Sequence, residues 1–328
     1  MRFFAKFTKC SPTNIKTMRK RNRNSPHLWR SKASSPVSVN FFQLMRTYME
    51  HKCKTGNSPA FAQQIEKTMR HLLRFRGDAV TVAQVDVDYC LAFIDYLKEA
   101  TTPYGTPLSR QTQVVYFRCL NCTLNWALKR GIITFNPVSR IDADMKPHVP
   151  ESTREYLTRD ELTQLMAAPC KSDSVKRAYL FACFCGLRFS DVRDLTWGNI
   201  FVDGRRTRLR IVMRKTRKTL YLPLSRAACR WLPERAGADS TAKVFALPTL
   251  VYVNLVLKQW VKQNGIEKKI TFHTSRHTFA TMSLQADVDL YTVSKLLGHT
   301  QVKTTQIYAR VIDRKKDEAV DALSDMFC

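Results

Sequence analysis

Acidic residues are what this chain lacks. Its 27 Asp and Glu stand against 54 Lys and Arg, a formal net charge of +27. An excess of that size calls for a polyanionic partner. No run approaches the about eighteen apolar residues that a membrane span requires, so nucleic acid is favoured over a membrane. The first ten residues, MRFFAKFTKC, are basic but carry no apolar core of an export signal, which argues against secretion. The ten cysteines build no disulfide framework, being scattered from Cys10 to Cys328, and fit a reducing cytoplasm, here a nucleoid-associated one. Cys119 and Cys122 form a lone C-x-x-C without a second pair or a suitably spaced histidine, and read as small core residues rather than half a zinc site. No carboxylate cluster is apparent, which disfavours a metal nuclease, and no internal repeat is visible.

What is present is enough for two domains: 328 residues, of which 44% are hydrophobic. Residues 1–36 hold ten Lys or Arg and no acid, the composition of a flexible basic arm that is either a solvated tail or a phosphate-attracting one. Residues 37–140 have helical periodicity throughout. Phe41, Phe42, Leu44, Met45, Tyr48 and Met49 mark the first helix. Ser58-Pro59 opens a second, which runs through Ile65, Met69 and Leu72 to Gly77. Tyr89 to Leu97 marks a third, and Ser109 to Gly131 a fourth. Four amphipathic helices make a small bundle, with Arg70, Arg74, Arg110 and Arg118 on its polar faces as candidate phosphate contacts.

Residues 141–155 contain two prolines and no apolar periodicity, and read as a linker. The second domain, 156–328, begins with a capping box, Thr158 and Glu161. An apolar helix from Ala178 to Cys185 stops at Gly186, and the stretch after Leu195 is strand-like. Leu209 to Met213, the turn RKTRK, and Leu220 to Leu222 form a β-hairpin. From Ser225 the chain reads as helical again, most clearly over Val251 to Val261. The fold class is therefore mostly α with a small β-sheet.

The chemistry-bearing residues lie mostly near the C-terminal end. His273 and Arg276 are three apart and so share one helix face; His299 follows in Leu-Leu-Gly-His, and Tyr308 nine residues later. Upstream stand Arg188 and Asp191 in GLRFSD, and Lys215 in the hairpin turn. Guanidiniums fork onto phosphate oxygens, imidazoles share protons near neutral pH, and a phenol oxygen can attack covalently. The pattern H-x-x-R, L-G-H, Y closely resembles the tyrosine recombinase (phage integrase) family, over the second domain from Thr158 to Tyr308 and more loosely over the helical first.

That resemblance implies a SAM-like core-binding domain followed by a recombinase catalytic domain. It implies Arg188 and Arg276 as clamps on the scissile phosphate, with His273 at the same site. Lys215 is the acid that protonates the leaving 5′ oxygen, Lys218 being the runner-up. Tyr308 is the nucleophile that forms a 3′-phosphotyrosyl link. His299 bonds the phosphate or Tyr308, and Asp191 orients the site from behind, where many relatives have glutamate. His277 matches a common family histidine and is expected to be structural, because adjacent helical residues point apart. Arg214, Arg217 and Lys218 are candidate backbone contacts. No cofactor and no metal are implied. The partners implied are double-stranded recombination sites, a homotetramer on paired DNA, and accessory DNA-bending proteins. The tail, with Ala319, Val320, Leu323 and Phe327 in a helical stripe, either closes its own domain or docks on a neighbouring protomer. The expected activity is that of an integrase or invertase of a mobile element, with a type IB topoisomerase and a DNA-binding regulator on a dead recombinase fold as alternatives.

Overall fold

Residues 39–56, 59–149 and 154–308 are described by the computed structural model, and the chain divides into two units, Met1–Glu151 and Ser152–Cys328. The basic arm, the Ser58 cap and the C-terminal tail all lie outside the described residues. Among those described, no helix is long and apolar enough to cross a membrane.

The first unit is built on α1 (Phe41–Lys54), α2 (Pro59–Arg76), α3 (Val87–Glu99) and α4 (Arg110–Lys129). Each start has a local cause. The side chains of Asn40, Asp86 and Ser109 accept from the backbone N–H three residues on, and α2 begins on a proline whose missing N–H is not needed there. Phe41, Met45, Ile65, Leu72, Phe93, Leu97, Leu120 and Leu124 fill the core. Cys119 is buried within it on α4. A short 3-10 turn, Pro137–Arg140, follows α4, and its cap Asn136 also bonds Asn121 and Asn125 on α4. Val138 and Ile141 are thereby buried in this core, so the stretch read as linker begins inside the first unit's packing.

The second unit surrounds α6 (Asp173–Cys185), whose residues from Ala178 to Cys183 are all buried. Around it stand α5 (Arg159–Ala167), α7 (Phe189–Asp194), α8 (Arg226–Arg230), α9 (Leu250–Gln263), α10 (Phe272–Gln285) and α11 (Leu290–Leu296). The capping box at α5 forms, and Lys268 closes on its Glu161 at 2.6 Å. The hairpin gains a third strand: β1 (Ile200–Asp203), β2 (Arg206–Val212) and β3 (Thr219–Pro223) form an antiparallel sheet in that order. Leu209 pairs Leu222 and Ile211 pairs Leu220, so alternate residues enter the core. The helical expectation after Ser225 holds for α10 and α11, and also for α8 and α9. Residues 231–249 are irregular between them, where Pro233, Gly237 and Pro248 interrupt any helix.

Candidate active site

The helix α10 carries most of the site and is unusual in what it buries. Thr274, Ser275, Arg276, His277, Thr278 and Thr281 are all buried, and buried polar groups are costly unless bonded. Five of these six side chains are hydrogen-bonded here. Ser275 donates to the Phe272 carbonyl, and Thr278 accepts the Leu157 N–H at 2.9 Å. Arg276, only 3% exposed, spends Nη1 on the Gly186 carbonyl and Nη2 on the Leu297 carbonyl, each at 2.6 Å. One guanidinium thus joins the ends of α6 and α11 to α10. Burial, then the charge of Arg188, lowers its pKa to about 10, so it remains a cation at neutral pH.

Gly186 makes this approach possible. It sits at φ +69°, and a Cβ there would meet Phe279 at 2.6 Å and Leu297 at 2.8 Å. The sharp left-handed turn ends α6 and places Arg188 as the residue before α7. Arg188 is half-buried, with Nη1 3.6 Å from the Met213 sulfur. Burial lowers its pKa, while Asp191 and Tyr308 act in the opposite direction. Gly298, at φ +62°, presses on the same Met213, which a Cβ would approach to 2.6 Å. The end of β2 therefore seats both Arg188 and the Leu-Gly-His turn.

Asp191 is 5% exposed and does more specific work than its sequence position indicates. Its Oδ1 accepts the backbone N–H of Arg214 at 2.9 Å, while Oδ2 is buried without a partner among the described residues. The Arg214 guanidinium is held in turn by Asp194 at 3.0 Å. Two carboxylates on α7 thus fix the residue directly before Lys215. Met213 and Lys218 close the turn by a backbone bond of 2.9 Å, and Arg217 within it adopts φ 58°. Lys215 itself is exposed, and its charge bears on both His273 and His299. Arg217 and Lys218 are exposed in the same turn, as are Arg70 and Arg74 on α2 and Arg110 and Arg118 on α4.

Tyr308 lies in a short 3-10 turn, 5% exposed, among Ala280, Leu284, Val293 and Leu297. Its oxygen is 2.7 Å from His277 Nδ1. Tyr308 therefore pairs with the histidine expected to be structural, and not with His299, whose Nδ1 instead faces Thr305 Oγ1 at 2.8 Å. Neighbouring residues on a helix do diverge, but the turn carrying Tyr308 packs on the side of α10 where His277 emerges. Burial raises the Tyr308 pKa, and Arg276, Arg154 and Arg188 pull it back only in part. Burial pushes His273, His277 and His299 down to about 4, reinforced by the nearby cations and, for His277 and His299, by His273. His273 has the most open side chain of the three, so solvent screens its charge most.

Arg154 is the site cation that the sequence reading missed. Its charge bears on His273, His277 and Tyr308, and its segment is strapped to α10 by the Leu157 N–H and to the loop before α10 by the Tyr156 carbonyl, which accepts from Lys268 at 3.1 Å. No local pattern marks it, because it stands in the stretch read as linker. Four cations (Arg154, Arg188, Lys215, Arg276) and three neutral histidines thus face a site with Asp191 as its buried carboxylate. Such a site is built for an anion whose charge grows during reaction. Among the described residues no three His, Cys, Asp or Glu side chains are placed to share a metal ion.

Comparison with known proteins agrees with the geometry. The Phage integrase family pattern matches residues 155–315, and the Phage integrase SAM-like domain pattern matches residues 40–144. A tyrosine recombinase of Thermosipho africanus (strain TCF52B) is 30% identical over 296 residues, covering 86% of this chain and 98% of its own. The Tn1549 transposon integrase, solved with a circular intermediate DNA, superposes with a TM-score of 0.66 at 18% identity, over 83% of this chain and 95% of that one. The lambda integrase tetramer bound to a Holliday junction gives 0.63 at 19% identity, over 88% and 85%. At such identities the solved structures speak to the fold.

Proposed function

The chain belongs to the phage integrase family of tyrosine recombinases, enzymes that break and rejoin DNA, and from that premise we propose that it is the integrase or invertase of a mobile element, working as four copies on two duplexes. The observation that carries the chemistry is the convergence of Arg188, Arg276 and Tyr308, distant in sequence, into one electrostatically coupled site. Tyr308 Oη attacks the scissile phosphorus. The P–O5′ bond breaks, leaving a 3′-phosphotyrosyl link and a free 5′ hydroxyl, and the bond energy is kept for rejoining. Arg188 and Arg276 hold the non-bridging oxygens as charge builds on them, assisted by hydrogen bonds from His273 and His299. Lys215 gives its proton to the departing 5′ oxygen. Asp191 serves the reaction by fixing the Arg214–Lys215 turn.

In the first unit, the exposed Arg70, Arg74, Arg110 and Arg118 are suited to backbone phosphates, and Arg217 and Lys218 extend that role in the second. The solved relatives support a DNA partner and the four-copy assembly: one is caught on a circular transposon intermediate, another as a tetramer on a four-way junction. The test is to place the DNA flanking the gene on a plasmid with the purified protein and sequence the junctions formed. Inverted or circularised junctions at flanking repeats, lost with Tyr308→Phe, are the expected result. Junctions that form only between chromosomal sites unlinked to the gene would contradict the mobile-element reading.

A further inference from the structure

A phenol that attacks phosphorus must give up its proton, and its acceptor in this protein is visible. His277 Nδ1 is 2.7 Å from Tyr308 Oη, with the rings 5.5 Å apart at 56°. The side chains are 7% and 5% exposed, so bulk water does not surround the pair. Among the described residues, His277 is the side chain within hydrogen-bond distance of that oxygen.

The groups facing His277 come from three segments. His273 packs edge-on against it, ring centroids 4.8 Å apart, from one turn back on α10. Arg276 adjoins it, Arg154 bears on it from the segment before α5, and Tyr308 closes the far side. Burial, then His273 and these cations, pushes His277 down to about 4, while burial raises Tyr308. At neutral pH the imidazole is therefore neutral, the phenol keeps its proton, and Tyr308 donates to Nδ1.

Resting on the assignment of Tyr308 as nucleophile, we propose that His277 is the base that removes its proton. As the Oη–P bond forms and the P–O5′ bond breaks, the phenol proton passes to Nδ1, and Lys215 supplies the proton taken up by O5′. Rejoining returns both. Transfer is uphill in the resting protein, which keeps the nucleophile unreactive. A bound phosphate offsets the cations that depress His277 and raises its basicity where it is needed. His273, open to solvent and bonded to neither ring oxygen nor Nδ1 among the described residues, is left for the phosphate.

The experiment measures single-turnover adduct formation by the full chain on a nicked suicide substrate carrying the recombining sequence. His277→Asn keeps an acceptor oxygen near the position of Nδ1 but takes no proton. It should slow adduct formation by about 100-fold or more, the usual worth of a general base. Replacing Tyr308 with 3,5-difluorotyrosine, a stronger acid, should recover about tenfold of that in His277→Asn while changing the parent chain by about threefold or less. His277→Asn at or above the parent rate would overturn the proposal, as for a residue that only parks the nucleophile. So would fluorination acting equally on both chains. Should His277→Asn melt too low to assay, the parent chain decides: its rate should fall with acid as His277 becomes protonated, and difluorotyrosine should flatten that fall. An acid limb indifferent to fluorination would again overturn it. A parent chain that forms no adduct at all overturns the function itself, a separate result read first.

Discussion

Asp191→Ala offers the most specific test of how the site is held together. The substitution removes the acceptor for the Arg214 N–H, a 2.9 Å bond that anchors the turn carrying Lys215. A hydrogen bond to a charged group contributes about 1.5–3 kcal/mol net. At about 1.4 kcal/mol per decade, the fraction of molecules with Lys215 in place should fall about ten- to a hundredfold. Part of the same loss should appear in global stability, so cleavage is measured well below the melting temperature of the variant. Strand cleavage is then compared on two suicide substrates, one with the ordinary 5′ oxygen and one with a bridging 5′ sulfur. Sulfur leaves without a proton, so a defect that acts through the acid should nearly vanish on it. Asp191→Asn, which keeps an uncharged acceptor, should fall between. Equal losses on both substrates would refute the reasoning, and would place Asp191 with the arginines instead of with Lys215.

Other consequences follow from the same geometry. Arg276→Lys keeps a cation but cannot fork between the Gly186 and Leu297 carbonyls; the loss should be about 2–4 kcal/mol, seen as a melting temperature lowered by roughly 5–15 °C. Gly186→Ala adds about 1–2 kcal/mol of left-handed strain to overlaps with Phe279 and Leu297, and should lower the urea midpoint, whereas an unchanged midpoint would contradict the close approach. Because His273, His277 and His299 are held near pKa 4 in the fold against about 6.5 unfolded, the unfolded chain binds more protons between those values. Stability should therefore decline as pH drops from about 6.5 toward 4, and binding of the scissile phosphate near pH 5.5 should take up protons, read as buffer-dependent heat in calorimetry.

Much of this site was legible before any coordinates, for physical reasons. Arg276 and His273 share a face because the helix repeat dictates it, and the capping signals at Ser109 and Thr158 mark helix starts that form as expected. Gly186 at the end of an apolar run foretold the left-handed stop. What sequence could not convey is which side chains meet across segments. That Tyr308 reaches His277 and not His299 depends on how the last turn packs on α10. The role of Asp191 depends on a backbone N–H, which no sequence motif displays. β1 was legible only as a strand-like stretch after Leu195, because its four residues alternate weakly and are mostly exposed, and Arg154 escaped because a cation in an irregular stretch has no signature.

The central claim is that Tyr308 becomes covalently joined to DNA, and mass spectrometry tests it most directly. The full chain is incubated with a nicked suicide substrate, denatured and digested, and the nucleotide-bearing peptide is sequenced. The account predicts a single modified residue, Tyr308, carrying a 3′-linked nucleotide, formed equally in excess EDTA and absent from Tyr308→Phe. A nucleotide on any other residue, or cleavage by Tyr308→Phe at the parent rate, would contradict it.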